Sequence, residues 1–201
     1  MCGDLVYEYS AALWRMTHDD ARKLIARAVP WRAIRLVCPV PTLIALDDAR
    51  ELYEPDSTGR AAWVLPVCAI DPAYPERIET AEPEAVVSRG ATVDLIAFAP
   101  EAPGRWALRL GEAPVLGAIE PQYLDPPPVP VHRDVTDWLR AGCGGIMLLT
   151  RDPCEAGRIL RQCKTVEAQD RMHAAELRHL IERPAYINTV VTMRDARRSA
   201  A

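Results

Sequence analysis

Residues 129–182 read VPVHRDVTDWLRAGCGGIMLLTRDPCEAGRILRQCKTVEAQDRMHAAELRHLIE, short apolar runs alternating with helix-forming stretches. Residues 129–131 form a short strand candidate, and 135–141 carry a helical pattern that Gly142 stops, since glycine takes the left-handed cap conformation at little cost. Ile146-Met147-Leu148-Leu149 is an unbroken apolar run, as in a strand covered on both faces. A second helix is predicted over 154–163, a short strand over 165–168, and a last helix over 171–182, ended by Pro184. Strands alternating with helices pair in parallel through right-handed crossovers. The expected fold class is therefore α/β: a small parallel or mixed sheet in the C-terminal half, built as a βαβα unit, with an N-terminal helical plus β-hairpin subdomain.

Upstream, Asp4 can cap a helix over 5–15, and Thr17 with Asp20 forms a capping-box start for a second over 18–28, closed by Pro30. Residues 34–38 are predicted as a strand, while the apolar stretch 41–46 has no decisive period. A hairpin is expected from 50–54 and 61–70 around Asp56-Ser57-Thr58-Gly59, with Pro66 making its second strand an edge or a bulged one. Residues 71–84, rich in Pro and Glu, read as a linker. The expected division is an N-terminal subdomain at 1–80, an α/β domain at 90–184 and a frayed basic extension at 185–201. Between them, 93–98 and 106–110 are strand candidates, and Asp125-Pro126-Pro127-Pro128 is a polyproline connector.

With 201 residues, 49% of them hydrophobic, the chain can bury one large core or two small ones. No run approaches the ~18 apolar residues of a membrane span. Met1-Cys2-Gly3-Asp4 lacks the basic start of a secretion signal, so a cytoplasmic protein with no membrane partner is expected. The six cysteines form no C-x-x-C pair, which argues for reduced thiols rather than a zinc ribbon or redox motif, and no cofactor is implied. The net charge of -4 excludes a protein built around an extended nucleic-acid footprint. Yet from Arg151 onward there are 10 basic residues against 7 acidic, a mild tilt that makes the C-terminal part the place to look for a protein or nucleic-acid partner.

In a parallel sheet the carboxyl ends of the strands meet the amino ends of the following helices along one rim, where open α/β folds bind ligands. The junctions here are His132-Arg133-Asp134, Thr150-Arg151-Asp152 and Glu167-Ala168-Gln169-Asp170. They make His132, Arg133 and Arg151 candidate ligand-binding residues, and Asp134, Asp152 and Asp170 candidate catalytic ones. Each aspartate also stands where a helix needs an N-cap, a role that requires no ligand. His173 falls on the buried face of the last helix, centred on Leu177, and is a candidate base near the helix's positive end. His179, six residues on, points elsewhere, so metal binding by the pair is set aside. Trp106 and Trp138 are expected in the core.

The words Val93-Asp94-Leu95-Ile96-Ala97-Phe98, Pro103-Gly104-Arg105-Trp106, Pro114-Val115-Leu116-Gly117, His132 and Asp137-Trp138-Leu139-Arg140-Ala141-Gly142 resemble a group of uncharacterised bacterial proteins encoded near prophage-like replication primases and helicases. The resemblance covers about residues 90–182. It implies a replication or mobile-element setting and supplies no activity or catalytic residue. The expectation is a non-catalytic accessory protein that binds a protein or a nucleic-acid end. The alternative is a metal-dependent phosphotransferase or hydrolase, a decayed Toprim-like domain with Asp134, Asp152 and Asp170 on magnesium. Against it, no glutamate follows a first strand with a glycine, and no D-x-D follows a later one.

Overall fold

The computed structural model describes residues 2–47, 51–68, 92–102, 104–117 and 127–183. In the stretch that lacked a decisive period, Val40 and Ile44 are buried while Leu43 is exposed, and this alternation belongs to a strand, β1 (Val40–Asp47). It pairs antiparallel with both β2 (Leu52–Pro55) and β3 (Arg60–Cys68). The expected hairpin of residues 50–54 and 61–70 is thus corrected, because β1 lies between its two arms. Gly59 shows why: its backbone lies against that of Ile44, where a Cβ would stand 2.2 Å from the carbonyl oxygen. Only glycine lets the turn after β2 press onto β1.

β3 then pairs antiparallel with β4 (Thr92–Phe98), β4 with β5 (Trp106–Leu108), and β5 closes onto β2 in parallel, completing a five-stranded barrel. The expected linker 71–84 lies outside the described residues, and the strands flanking it belong to one sheet. Pro66 is in register with Leu95, beyond the last β1 partner at Val64, so its missing amide donor leaves no β1 bond unmade. The ladder shifts at Val67/Cys68, in keeping with the expected bulge.

The second sheet has the order β6 (Val115–Gly117), β8 (Ile146–Leu148), β7 (Val129–His132), β9 (Val166–Glu167). β7 is parallel to both β8 and β9, and β6 is antiparallel to β8. It is thus a mixed sheet of short strands beside a closed barrel. α4 (Val135–Arg140), α5 (Pro153–Leu160) and α6 (Arg171–Glu182) alternate with its strands.

Three helices precede the barrel. α1 (Cys2–Leu13) and α2 (His18–Ile25) lie close to the expected spans, and Thr17 and Asp20 make the full capping box. Residues 34–38, expected as a strand, are instead the end of α3 (Trp31–Val37). Pro30 sits at its N-cap, where a missing amide costs nothing, and Ala33 and Ile34 bury one face. The described residues therefore carry six helices and two sheets, and none of these helices is long and apolar enough to cross a membrane.

Three apolar clusters hold the layers together. Val40, Ile44, Tyr53, Val64, Leu95 and α1's Leu5 and Tyr9 fill the barrel. The outward faces of β3 and β4 (Trp63, Leu65, Ile96, Phe98) pack on α2, α3, α4 and the second sheet through Leu24, Ile34, Trp138 and Met147. On the far side of that sheet, Val131 and Ile146 meet Ile159, Leu160 and Leu177 of α5 and α6.

Candidate functional site at the mouth of the barrel

Part of the expected rim does assemble. Arg133 donates to Asp170 Oδ2 at 2.6 Å and to Glu176 at 3.3 Å, and its amide donates to Gln169 Oε1 at 3.0 Å. Gln169 Nε2 donates to Asp137 at 2.8 Å, and the Asp137 amide donates to Asp134. His132 Nε2 donates to the Gly144 carbonyl at 2.9 Å. His173 is buried, and its Nδ1 accepts the Gln169 amide at 3.2 Å, so the ring is neutral with its proton on Nε2.

These contacts lock β7 to α4 and α6. Asp134, Asp152 and Asp170 each accept a backbone amide at the start of their own helix. Among the described residues no group of three or more His, Cys, Asp and Glu side chains is placed to hold a metal ion. The magnesium set of the Toprim-like alternative is therefore not brought together. In the basic C-terminal part, Arg158 pairs with Glu155, and Arg161 donates to the Ile181 and Arg183 carbonyls. The expected extension at 185–201 lies outside the described residues.

The lock has a pH signature. Burial and the nearby Arg133 cation push the His173 pKa down from its ordinary 6.5. A lowered histidine leaves the folded state neutral while the unfolded chain takes up a proton, so stability falls as pH drops below 6.5. Asp170 is held below its ordinary 3.8 by the His173 amide and Arg133, and Asp20 by Lys23 and Thr17. That contribution is present above 3.8 and is lost only at more acid pH. Urea midpoints between pH 7.5 and 5 are expected to fall for the wild type and to stay level for His173→Gln. Equal slopes would show that His173 titrates normally.

Arg151 leaves the rim altogether and pairs with Glu51 at the barrel. Strand alternation explains what it meets there. Side chains at every second position point into a barrel. Val40, Tyr53, Val64 and Leu95 fill the end that α1 plugs, while Ala62, Ala97 and Ala107 line the other. Alanines cannot fill that width, and a cavity of about 190 Å³ remains. The next inward positions on three strands are Glu51, Arg60 and Arg105, which ring the opening with Arg151. A second cavity of about 210 Å³ runs toward Leu149, Thr150 and Glu155, sharing Glu51, Trp106 and Arg151 with the first. Trp106, expected in the core, is half-buried between the two, whereas Trp138 is 3% exposed as expected.

This mouth combines an apolar chamber with three guanidinium groups, while the Trp106 indole lies on the outer face of the wall beside Phe98. Its described lining holds no hydroxyl, thiol or imidazole in the first cavity, and neither Asp47 nor Glu51 is without a partner. Such a set holds an anion with a small flat or apolar body and offers no nucleophile to attack it. Sequence reading missed it because Arg60 and Arg105 gain meaning only from the register that turns both inward.

Sequence reading also missed Asp94, which is 0% exposed inside β4. Its Oδ1 accepts the amides of Leu95, Arg109 and Leu110, and its Oδ2 those of Glu112 and Ala113. This carboxylate binds the strap from β5 to β6, and so ties the barrel to the second sheet. No family model, no curated protein and no solved structure matches the chain.

Proposed function

We propose that the protein is a non-catalytic accessory factor that binds the end of a single-stranded nucleic acid at the barrel mouth, in the mobile-element replication setting implied by its resemblance. The observation that carries this reading is the ring of Arg60, Arg105 and Arg151 around an alanine-lined chamber beside Trp106. A terminal phosphate takes the guanidinium groups in exchange for their present partners, Glu51 among them, and the terminal base enters the alanine-lined chamber. The net charge of -4 fits a single end and opposes a long track of phosphates.

That restriction sets the expected result. Three cationic contacts on a single strand give a log affinity against log salt slope of about -2. Fluorescence anisotropy with short oligonucleotides, with and without a 5′ or 3′ phosphate, measures it. Loss of the phosphate and the double change Arg60→Ala with Arg105→Ala are each expected to weaken binding about tenfold or more. Equal affinity of that variant and the wild type, or a preference for blunt duplex, would refute this reading. If no nucleic acid binds at all, the expected protein partner takes its place.

A further inference from the structure

We infer that α1 is the interface of a two-fold symmetric homodimer. Helices of surface type carry one apolar stripe and one polar face. α1 carries two apolar faces: Leu5, Tyr9 and Ala12 are buried on the barrel, while Val6 is 50% exposed, Tyr7 77%, Leu13 37% and Trp14 90%. Trp14 continues the same helical turn, since its amide donates to the Ser10 carbonyl. Between Leu5 and Trp14 the one charged side chain is Glu8, and it is already engaged by Arg109 at 3.0 Å and the Tyr53 hydroxyl at 3.2 Å. At about 100° per residue, the outer arc from Leu13 through Val6, Ser10, Trp14 and Tyr7 to Ala11 spans about 160° without a charge. A helix apolar on both sides is a covered helix.

The pattern of that arc selects a second copy as the cover. Ser10 stands at its centre, with Tyr7 and Val6 three and four residues before it and Leu13 and Trp14 three and four residues after. Turning the stripe about a two-fold axis across the helix at Ser10 reverses its height and keeps its sides, so Tyr7 meets Trp14 of the other copy and Val6 meets Leu13. The aromatic rings then meet each other on one side and the aliphatic side chains on the other, and the small residue sits where the two backbones cross most closely. This is the self-complementarity that an isologous contact requires. Tyr7 and Trp14 each offer about 150–250 Å². With Val6 and Leu13 added, two copies bury about 1,000 Å² in total, the size at which an interface becomes specific.

The inference is independent of the barrel mouth, which lies at the opposite end of the barrel from α1, so either can fail alone. Sedimentation velocity of the full chain at micromolar concentration is expected to show twice the chain mass. Trp14→Glu is expected to sediment as a folded monomer with the wild-type circular dichroism spectrum, because the side chain is almost wholly outside the fold. Ser10→Cys, at the axis, is expected to form an intermolecular disulfide on mild oxidation that neither the wild type nor Arg15→Cys forms. A monomeric wild type overturns the inference, whether or not it floats with phosphatidylserine vesicles. A dimer that survives Trp14→Glu overturns it too, by placing the interface elsewhere.

Discussion

The Asp94→Ala protein is expected not to fold at room temperature. A hydrogen bond to a charged acceptor contributes about 1.5–3 kcal/mol, and a buried amide left without a partner costs about 1–3 kcal/mol. Asp94 serves five amides inside the fold, so alanine strands a whole strap at once. Even two or three such losses consume most of the ~5–15 kcal/mol by which domains of this size are stable. Asp94→Asn separates charge from geometry. Its carbonyl oxygen can keep Leu95, Arg109 and Leu110, but its NH2 group then faces the Glu112 and Ala113 amides, donor against donor. The Asn variant is expected to fold with a lowered urea midpoint and with fast amide exchange at residues 112 and 113 alone. Melting of the Ala variant at the wild-type temperature would show that the strap holds without its carboxylate.

The second large effect is expected at Gly145, where the segment before β8 turns with φ +77°. A Cβ there would stand 2.2 Å from the Pro130 carbonyl oxygen and 2.9 Å from Pro130 Cβ. Its own carbonyl leaves no room to retreat, since it accepts Trp138 Nε1 at 3.2 Å and lies 2.2 Å from where a Cβ on Gly117 would be. Left-handed backbone costs a non-glycine residue about 1–2 kcal/mol, and displacing a packed backbone adds about 1–3 kcal/mol. Gly145→Ala should therefore lose about 2–5 kcal/mol in a chemical denaturation experiment. Gly104→Ala supplies the comparison: its φ is +84° with nothing within 4 Å, so only the conformational cost applies. Equal losses at both sites would mean that the β7–β8 approach has slack.

What the sequence discloses and what it hides divide along the distance between partners. The caps at Thr17, Asp134, Asp152 and Asp170 lie within a few residues of the amides they satisfy, and all four were legible. Pro30 was read as the end of one helix, although it also starts another, because residues 31–37 bury only Ala33 and Ile34 and fit a strand pattern as readily. The barrel was not legible. Its decisive strand, β1, shows its alternation only once both neighbours are known, and the β2–β3 turn looks like any hairpin turn until Gly59 is seen on Ile44. Asp94 gave one signal that was passed over: a carboxylate between Val93 and Leu95 in an otherwise apolar strand requires buried donors. Those donors lie up to 19 residues downstream. At the rim, pairing of the arginines with the neighbouring acids holds for Arg133, which meets Asp170, but not for Arg151, which answers to Glu51, a hundred residues away.

β2 and β5 pair with each other through one residue pair, Leu52 with Leu108, and the Leu108 amide donates to the Glu51 carbonyl across that seam. By contrast, β3 and β4 are zipped along six pairs. Such a cylinder is a cuff with a single clasp: the clasp can part while the rest of the wall stays intact. Glu51, which supplies it, sits in left-handed backbone and also lines both cavities. The seam beside the mouth is thus the least extensively paired part of the wall, and the first place where the cylinder would be expected to part on unfolding.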